Sequence, residues 1–322
     1  MKGKPAILFT FIVSALPPVI AKAQDPHFST VQDLNTWYNP SLKTSPRPQA
    51  CINIRSVNYQ GIVAYTAKSA SIDLPLVSNS RQEGDIAPFA NVTVGISSDN
   101  AGDGSMKIST ALLTFSYALP LSDDNTYLAA GFQGNYTFNK AGLDGNLIYP
   151  LQFDKYGSIG SALAADPYQS GYQYGYFNAG AGASIFHEGE QKQWYLGTSI
   201  RHFNKPVSEF THGNRLSANI SIQSGYTASI NEGDALGGYA IFSWQKNIQE
   251  QLIGARYTHQ LGDSVGYAIS FSAACRLRDA LIPGVWLKFG KGRLGFSYEF
   301  GVFAQSGYYH RNSFEFSFCQ QL

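Results

Sequence analysis

The chain has 322 residues, of which 14% are charged and 14% aromatic, and its formal net charge is +1. A typical soluble domain has about 25% charged residues, so this composition is unusual for a soluble protein. The absence of a basic block argues against nucleic acid as a partner. No apolar run long enough for a transmembrane helix follows residue 23, which excludes a helical membrane protein. Few charges, many aromatic residues and 32 glycines favour a transmembrane β-barrel, with a soluble β-sandwich as the alternative.

The first 23 residues have the pattern of a cleaved signal peptide. Two lysines precede a largely apolar stretch over residues 6–20, and Ala21-Lys22-Ala23 is the small-x-small pattern of a cleavage site. The apolar stretch is too short, and too interrupted by proline, for a transmembrane helix. The first cysteine is Cys51, far beyond the cleavage site, which argues against a lipoprotein. We therefore predict export through a cleaved signal peptide and a mature chain that begins at Gln24.

The sequence predicts three regions in the chain. Residues 1–23 are the predicted signal peptide, and residues 50–322 are the predicted outer-membrane barrel. Residues 24–49 contain four prolines and lack the alternation of a regular strand. We predict that they form either a periplasmic lead or a plug inside the barrel lumen.

Apolar and polar residues alternate along most of the remaining chain, which predicts β-strands because successive side chains point to opposite faces. Near the C-terminus, Phe314, Phe316 and Phe318 alternate with serine and glutamate. The second face carries mostly small or uncharged residues, which fits a barrel lumen better than the solvated face of a soluble sandwich. The predicted strands cover residues 50–59, 62–76, 89–98, 105–119, 126–139, 173–187, 193–204, 215–230, 235–246, 250–261, 264–275, 281–289, 292–301 and 311–319.

These strands predict an all-β fold: a transmembrane antiparallel β-barrel of about fourteen strands in the outer membrane. Single-chain bacterial barrels have an even number of strands, as predicted here. They also have long extracellular loops and short periplasmic turns. This alternation of long and short connections fails at the start of the chain, where the outer connection 60–61 is short and the inner connection 77–88 is long. The first hairpin therefore does not fit it. With the C-terminus in the periplasm, the outer connections include 140–172, 205–214 and 302–310, and the inner turns include 188–192, 231–234, 262–263 and 290–291.

Motifs for catalysis or metal binding are missing from the sequence. There is no HExxH and no GxSxG, and none of the six histidines is paired with an acid at ligand spacing. Residues 99–104 resemble a calcium loop but lack its later glutamate, and a hairpin turn explains them better. We therefore predict no enzymatic activity, no cofactor and no metal.

The three cysteines, Cys51, Cys275 and Cys319, have no metal-like spacing. Their odd number leaves at least one thiol outside any intramolecular disulfide. A Cys275–Cys319 bond is one alternative. Unpaired thiols, buried or facing lipid, are the other, and they are the commoner case.

Short motifs along the mature chain resemble the PorP/SprF membrane proteins of the type IX secretion system. The most specific is YLGTSIRHFNKP, which runs from Tyr195 to Pro206. Each motif alone is short, and their order along the chain carries the resemblance. One departure follows Asn39-Pro40, where the family usually has Ala-x-x-Gly and this chain has SLKT. The other motifs are QDPHFS at 24–29, YNP at 38–40, Gly95 with DNAG at 99–102, NAGAG at 178–182, DALIP at 279–283, GFSYE at 295–299 and FEFS at 314–317.

The resemblance implies an outer-membrane barrel of the secretion and gliding machinery of Bacteroidetes-type cells. Family members are linked to periplasmic ring components of that machinery. Some are needed to secrete, or to attach to the cell surface, large adhesins that carry C-terminal sorting domains. The family has no catalytic residues, so the resemblance implies none in this chain.

Partner contacts are predicted at both ends of the barrel. The outer connection 140–172 has 33 residues, far more than a hairpin needs, and long loops of this kind are usually functional or disordered. Exposed aromatic side chains are typical of binding hot spots. The alternative is that this loop folds inward and plugs the barrel. The predicted partner-binding residues are Tyr149, Phe153, Tyr156 and Tyr168 in the outer connection, and His27 and Phe28 for inner contacts through 24–49.

A passive porin or solute channel is the alternative function. Barrel diameter grows with strand number, so fourteen strands can leave room for small solutes. Charged residues on the predicted inner face either line such a pore or bridge across a filled lumen. They are Arg201, Arg256, Arg293 and Glu299.

Overall fold

The computed structural model describes most of the chain after residue 27 and shows one closed antiparallel barrel of fourteen strands. In this part of the chain, no helix has the length and apolar character needed to cross a membrane. The described residues are 28–42, 47–59, 62–76, 87–101, 106–122, 125–141, 153–154, 157–158, 172–207, 215–262, 266–302 and 311–322.

A short helical segment precedes the strands. It consists of a 3-10 helix, Val31–Asp33, and a single-turn helix α1, Asn35–Tyr38. A two-residue pair, β6 with β7, lies outside the barrel sheet. The strands are β1 Gln49–Tyr59, β2 Ile62–Leu76, β3 Phe89–Ala101, β4 Met106–Ser122, β5 Thr126–Ala141, β6 Phe153–Asp154, β7 Gly157–Ser158, β8 Tyr172–Glu188, β9 Lys192–Arg201, β10 Asn219–Ser229, β11 Asp234–Gln245, β12 Ile248–Gln260, β13 Tyr267–Arg276, β14 Ala280–Phe289, β15 Gly292–Gly301 and β16 Arg311–Gln321.

The predicted fourteen-strand antiparallel barrel is confirmed. The first hairpin, which did not fit the rhythm of long and short connections, is present with its predicted strands β1 and β2. The largest shift in a strand boundary is at β10, predicted from residue 215 and observed from Asn219. Arg215 forms only an isolated bridge with Val207. Apolar and polar residues alternate in the same way near this isolated bridge as in a barrel strand. The sequence pattern therefore does not show where β10 begins.

Strands β1 and β16 close the barrel, and a disulfide between Cys51 and Cys319 joins them. The two cysteines are direct register partners, with Cα atoms 4.1 Å apart. The considered Cys275–Cys319 bond is therefore wrong, and so is the alternative of unpaired thiols for Cys51 and Cys319, whereas Cys275 is free. Cys275 lies on β13, which β14 and β15 separate from β16. Adjacent strands are about 4.8 Å apart, so that separation exceeds the reach of a disulfide.

The two faces of the sheet differ as the alternation predicts. On β1, Ile52 and Ile54 are exposed on the outside of the barrel, while Asn53 and Arg55 are buried on the inside. Large apolar side chains cover the outer face of the other barrel strands in the same way. An apolar outer band with a polar interior is the pattern of an outer-membrane barrel.

The two ends of the barrel are distinguished by their connections. The long connections 142–171, 202–218 and 302–310 leave from one end, while β1 begins and β16 finishes at the other, where the connection 77–88 also lies. Outer-membrane barrels have their long loops outside the cell. We call the end with the long connections the outer mouth, and the end with Gln49 and Gln321 the inner mouth.

Candidate functional site

Residues 28–42 lie inside the barrel, and we call them the lumen segment. None of these residues is exposed, and Asn39 and Ser41 are completely buried. The segment forms hydrogen bonds with β1, β8, β9, β10, β15 and β16. These strands lie on opposite sides of the closed sheet. A short segment that contacts both sides must occupy the lumen between them.

The lumen segment runs from the outer half of the barrel towards the inner mouth. Phe28 packs with Leu34 against Ala67, in the outer half of β2. At the other end of the segment, the carbonyl of Ser41 accepts a hydrogen bond from Ser184, close to the inner end of β8. From there the chain reaches the inner mouth, where β1 begins.

Residues Ser29–Asp33 form the charged half of the lumen segment. The carboxylate of Glu315 on β16 is 1% exposed and accepts hydrogen bonds from the backbone N–H groups of Ser29 at 2.6 Å and Thr30 at 3.0 Å. It also accepts one from the Thr30 hydroxyl. Charge-assisted hydrogen bonds of this kind are stronger than neutral ones. They fix the start of the segment to the last strand.

Glu299 on β15 joins the charged half to a cluster of arginines. Its carboxylate is 1% exposed and accepts a hydrogen bond from the Ser29 hydroxyl at 3.0 Å. It also forms ion pairs with Arg55 at 2.8 Å, with Arg276 at 2.9 Å and with Arg311. Buried charges are tolerated when they are paired and hydrogen-bonded. One carboxylate therefore ties the segment to β1, β13, β15 and β16 together.

The charged half ends at Asp33, whose carboxylate is almost completely buried. It forms an ion pair with Arg293 on β15 and accepts a hydrogen bond from Ser317 on β16 at 3.0 Å. Apolar contacts complete this side. Val31 packs in a cluster with Tyr239, Ile241, Leu252, Ala274 and Ile282 from the inner face of β11 to β14.

The charged residues predicted to line a pore or to bridge a filled lumen contact groups inside it. Arg293 and Glu299 bind the lumen segment directly. The Arg201 guanidinium lies 5.6 Å from the centre of the Tyr38 ring, and that of Arg256 lies over Trp286 on β14, 4.2 Å from its ring. A cation over an aromatic face is attracted by the ring.

Residues 37–42 form the neutral half of the lumen segment, which has no charged side chain of its own and forms its hydrogen bonds with uncharged groups. The Tyr38 carbonyl accepts a hydrogen bond from the Ser199 hydroxyl at 2.8 Å. The Asn39 side-chain amide donates to the Gln223 side chain at 3.0 Å, and its carbonyl oxygen accepts from the Ser41 N–H. The last of these bonds closes a local turn, which Asn favours.

Glycines on the inner face allow the neutral half to approach the strands closely. A Cβ at Gly131 would lie 2.7 Å from the backbone carbonyl carbon of Pro40, and one at Gly197 would lie 2.8 Å from the Asn39 amide nitrogen. These distances are too short for real Cβ atoms, so only glycine fits. The neutral half therefore depends on shape, where the charged half depends on ion pairs.

Aromatic side chains fill the lumen near the inner mouth. Phe89, Tyr127 and Phe186 pack there, and the last two rings stack with centroids 5.3 Å apart. The strands thus contribute their own side chains to the filling below the lumen segment. Among the described residues, no three His, Cys, Asp or Glu side chains gather in a way that could hold a metal ion.

The structure places only part of the predicted partner-binding set. Phe28 is 6% exposed and packs inside the lumen. Phe153 begins β6. Tyr149, Tyr156, Tyr168 and His27 lie outside the described residues. A partner-binding role for these residues stays a prediction.

The sequence singles out Arg293 and Glu299 as lumen residues, but it does not single out Glu315, which binds the lumen segment, or Arg55, which pairs with Glu299. Glu315 and Arg55 belong to predicted strands, at positions that alternate with outward apolar residues. A charged residue at an inward position of an alternating strand signals a partner inside the barrel. That signal was present in β1 and β16, but it does not identify the partner.

Two solved toluene transporters have a similar fold. The toluene transporter TbuX of Ralstonia pickettii matches with a TM-score of 0.53 and 10% identity, over 89% of this chain and 93% of that chain. The toluene transporter TodX of Pseudomonas putida matches with a TM-score of 0.50 and 7% identity, over 92% of this chain and 93% of that chain. Such low identities show the fold alone. No curated protein matches the chain significantly.

A family model supplies the identification. The model described as type IX secretion system membrane protein PorP/SprF matches residues 20–319. The match includes the whole lumen segment and nearly all of the barrel. The family consists of secretion-system membrane proteins and is not an enzyme family, in agreement with the prediction that the chain is not an enzyme. The chain belongs to the PorP/SprF family of type IX secretion system membrane proteins.

Proposed function

We propose that this barrel serves the secretion or cell-surface anchoring of partner proteins, adhesins with C-terminal sorting domains, within the type IX secretion and gliding machinery. Membership of the PorP/SprF family supports a role in that machinery. In this proposal the partner binds at the outer mouth, and periplasmic ring components bind at the inner mouth. The barrel is then an anchor in the outer membrane between the two.

The observation that carries the proposal is the filled lumen. The lumen segment is bound by strands on both sides of the barrel, and aromatic side chains pack below it. A filled lumen hinders the passage of solutes, and it therefore favours an anchoring role over a channel. Its two mouths remain as the surfaces for other proteins.

The outer connection 140–172 is the proposed contact for the secreted partner. It provides the apolar and aromatic residues Tyr149, Phe153, Tyr156 and Tyr168 on the side of the cell where the partner is retained. The short turns at the inner mouth are the proposed contacts for the ring. His27 and Phe28 stay predicted inner contacts, although the side chain of Phe28 packs in the outer half of the lumen.

Shortening the outer connection tests the anchor. Residues 145–168 are replaced by a Gly-Ser link, and barrel assembly is followed by heat-modifiable migration on a gel. Surface retention of an adhesin with a C-terminal sorting domain is measured on intact cells. We expect normal assembly with loss of retention. Normal assembly with full retention would exclude this loop as the attachment site, and failed assembly would show that the loop is structural.

The alternative is a passive channel, and the fold shared with two proteins named as toluene transporters is the observation in its favour. Conductance of the purified protein in a planar bilayer separates the two functions. We expect no stable open channel, because the lumen segment fills the barrel. A stable conductance of nanosiemens size would favour the channel.

A further inference from the structure

Three lysines face outward on neighbouring strands of the barrel: Lys68 on β2, Lys107 on β4 and Lys140 on β5. Successive side chains of a strand point to opposite faces, so Lys68 shares the outer face with the exposed Ile72, and Lys107 shares it with the exposed Leu113. Lys107 and Lys140 lie next to the outer ends of their strands, and Lys68 lies in the outer half of β2. The three side chains therefore form a basic patch on the outer part of the barrel wall.

Lys107 and Lys140 are direct register partners, so their side chains lie side by side on the outer face. Like charges directly opposite each other destabilise a sheet. Lys68 belongs to the neighbouring outward row, in register with Ser98 and Ser109. Its Cα lies two strands and two residues from that of Lys107, which is a distance of about 12 Å. The patch is thus a close pair of cations with a third cation nearby.

No acidic side chain on the outer face of these strands neutralises the patch. Strands β1 to β5 contain only two acids, Asp73 and Asp99, and both are buried on the inner face. In the part of the chain that the structure describes, the three lysines form no ion pair. Inside the barrel the opposite holds, where Arg55 is paired with Glu299 at 2.8 Å. The strands therefore leave the outward charges open to an anion from outside the chain.

Towards the inner mouth, the outer face below the patch is apolar. Leu113 and Phe115 follow on β4, and Phe132 on β5, and all three are exposed. An outward apolar band of this kind contacts the acyl chains of the membrane. Lysines at the edge of such a band extend their charged ends to the level of the headgroups. Apolar residues followed by cations along a strand match the order of parts within an anionic lipid.

We propose that Lys68, Lys107 and Lys140 bind the phosphorylated headgroup of a lipid in the outer leaflet. Phosphate oxygens accept charge-assisted hydrogen bonds from ammonium groups. One phosphate between Lys107 and Lys140 replaces their repulsion with two attractive contacts, and Lys68 binds a further anionic group of the same headgroup. An acidic protein would match the charges of the patch but not the apolar face directly below it, so the lipid is favoured.

Lipid binding to the full-length barrel in a neutral detergent tests the patch. Native mass spectrometry measures bound lipid, with lipid A as the phosphorylated probe and its dephosphorylated form as the matched probe. We expect a preference for the phosphorylated lipid. Each lysine contributes about fivefold to the binding of an anionic lipid, so the double variant Lys107→Gln with Lys140→Gln should weaken binding about 25-fold. The control Lys192→Gln removes an exposed lysine at the inner end of β9 and should leave binding unchanged.

Thermal unfolding gives a second measurement, in which the order of two proteins should reverse. Without lipid, Lys107→Gln removes the repulsion with Lys140 and should unfold at a slightly higher temperature than the wild type. With phosphorylated lipid, the wild type should become the more stable protein. A purely structural role of Lys107 would not reverse this order.

Equal binding of the two lipids would overturn the proposal and leave an acidic protein as the partner of the patch. Binding of the phosphorylated lipid that the double variant does not weaken would place the lipid elsewhere on the barrel, and it would also overturn the proposal. Inorganic phosphate is the third probe. If it stabilises the wild type as much as the lipid does, the patch binds a free anion, and the lipid source is wrong.

Discussion

The charged half and the neutral half of the lumen segment contact opposite sides of the barrel and are held there by different forces. Residues Ser29–Asp33 bind β1 and β16, the two strands that close the barrel, and β15 beside them. The neutral half, residues 37–42, binds β8, β9 and β10 across the lumen. One side uses buried carboxylates, and the other uses glycines and neutral hydrogen bonds.

This difference predicts how each half fails. Removing one partner of a buried ion pair leaves an unpaired charge, which is costly because water cannot replace the partner. Adding volume at a glycine instead forces atoms apart without changing any charge. The two halves should therefore respond to different substitutions, and each substitution should release its own half first.

Glu299→Gln should have the largest effect. It leaves Arg55, Arg276 and Arg311 without the carboxylate that they share, and the side chains of Arg55 and Arg276 are buried. Breaking a buried ion pair in this way costs about 3–5 kcal/mol. Denaturant unfolding of the detergent-solubilised protein, followed by gel mobility, measures the loss. The exposed Glu190→Gln should change stability by less than about 0.5 kcal/mol, and an equal loss there would contradict the special role of Glu299.

Loss of the seam disulfide should come next. The double variant Cys51→Ser with Cys319→Ser removes the bond between the first and last strands. A disulfide of this kind contributes about 2–5 kcal/mol. Because the charged half is bound to the strands at that seam, hydrogen exchange at Ser29 and Thr30 should accelerate more than at Ser41. The single variant Cys275→Ser is the control, since its thiol is free.

Equal acceleration of both halves in the disulfide variant would show that the segment moves as one unit. The two halves would then differ in the groups that hold them but not in how independently they move.

Gly131→Ala should affect the neutral half, with a smaller cost. The new Cβ would lie 2.7 Å from the backbone of Pro40, and neither backbone can move freely. Overpacking of this kind costs about 1–3 kcal/mol. Hydrogen exchange should accelerate at Ser41 and Leu42 and stay unchanged at Ser29. Gly238→Ala is the matched control, because its new Cβ would meet nothing closer than 3.6 Å. Faster exchange in that variant as well would point to a general effect of strand glycines.

The barrel was predictable because each strand carries its own signal. In β16, Phe314, Phe316 and Phe318 face outward and the residues between them face inward, and this pattern needs no knowledge of other strands. Strand number and end-to-end orientation follow from counting such segments. The family could also be predicted from the sequence, because its short motifs occur in a specific order along the chain.

The contacts that fill the lumen were not predictable, because they join residues far apart in sequence. Glu315 binds Ser29 across 286 positions, and Cys51 pairs with Cys319 across 268. Only the strand register brings Cys51 opposite Cys319, and the sequence alone does not fix that register. For residues 24–49 the prolines excluded a regular strand, but they did not choose between a plug and a periplasmic lead.

Ser184→Ala should have the smallest effect and gives the sharpest test of independence between the halves. The Ser184 hydroxyl donates to the Ser41 carbonyl at 2.9 Å, and the side chain is 4% exposed. Its removal takes one hydrogen bond from the neutral half, while the backbone ladder of β8 stays intact. The expected loss is about 1 kcal/mol, measured by the same denaturant unfolding.

Double-mutant cycles decide whether that loss is local. Ser184 and Gly131 contact adjacent parts of the neutral half, so Ser184→Ala combined with Gly131→Ala should deviate from additivity by more than about 0.5 kcal/mol. Once the alanine at 131 displaces Pro40, the Ser41 carbonyl moves away from Ser184 and loses this hydrogen bond, so that removing the Ser184 hydroxyl has little further effect. Combined with Glu299→Gln, the same change should be additive, since the two sites share no contact. A large coupling between Ser184 and Glu299 would mean that the lumen segment transmits strain from one side of the barrel to the other.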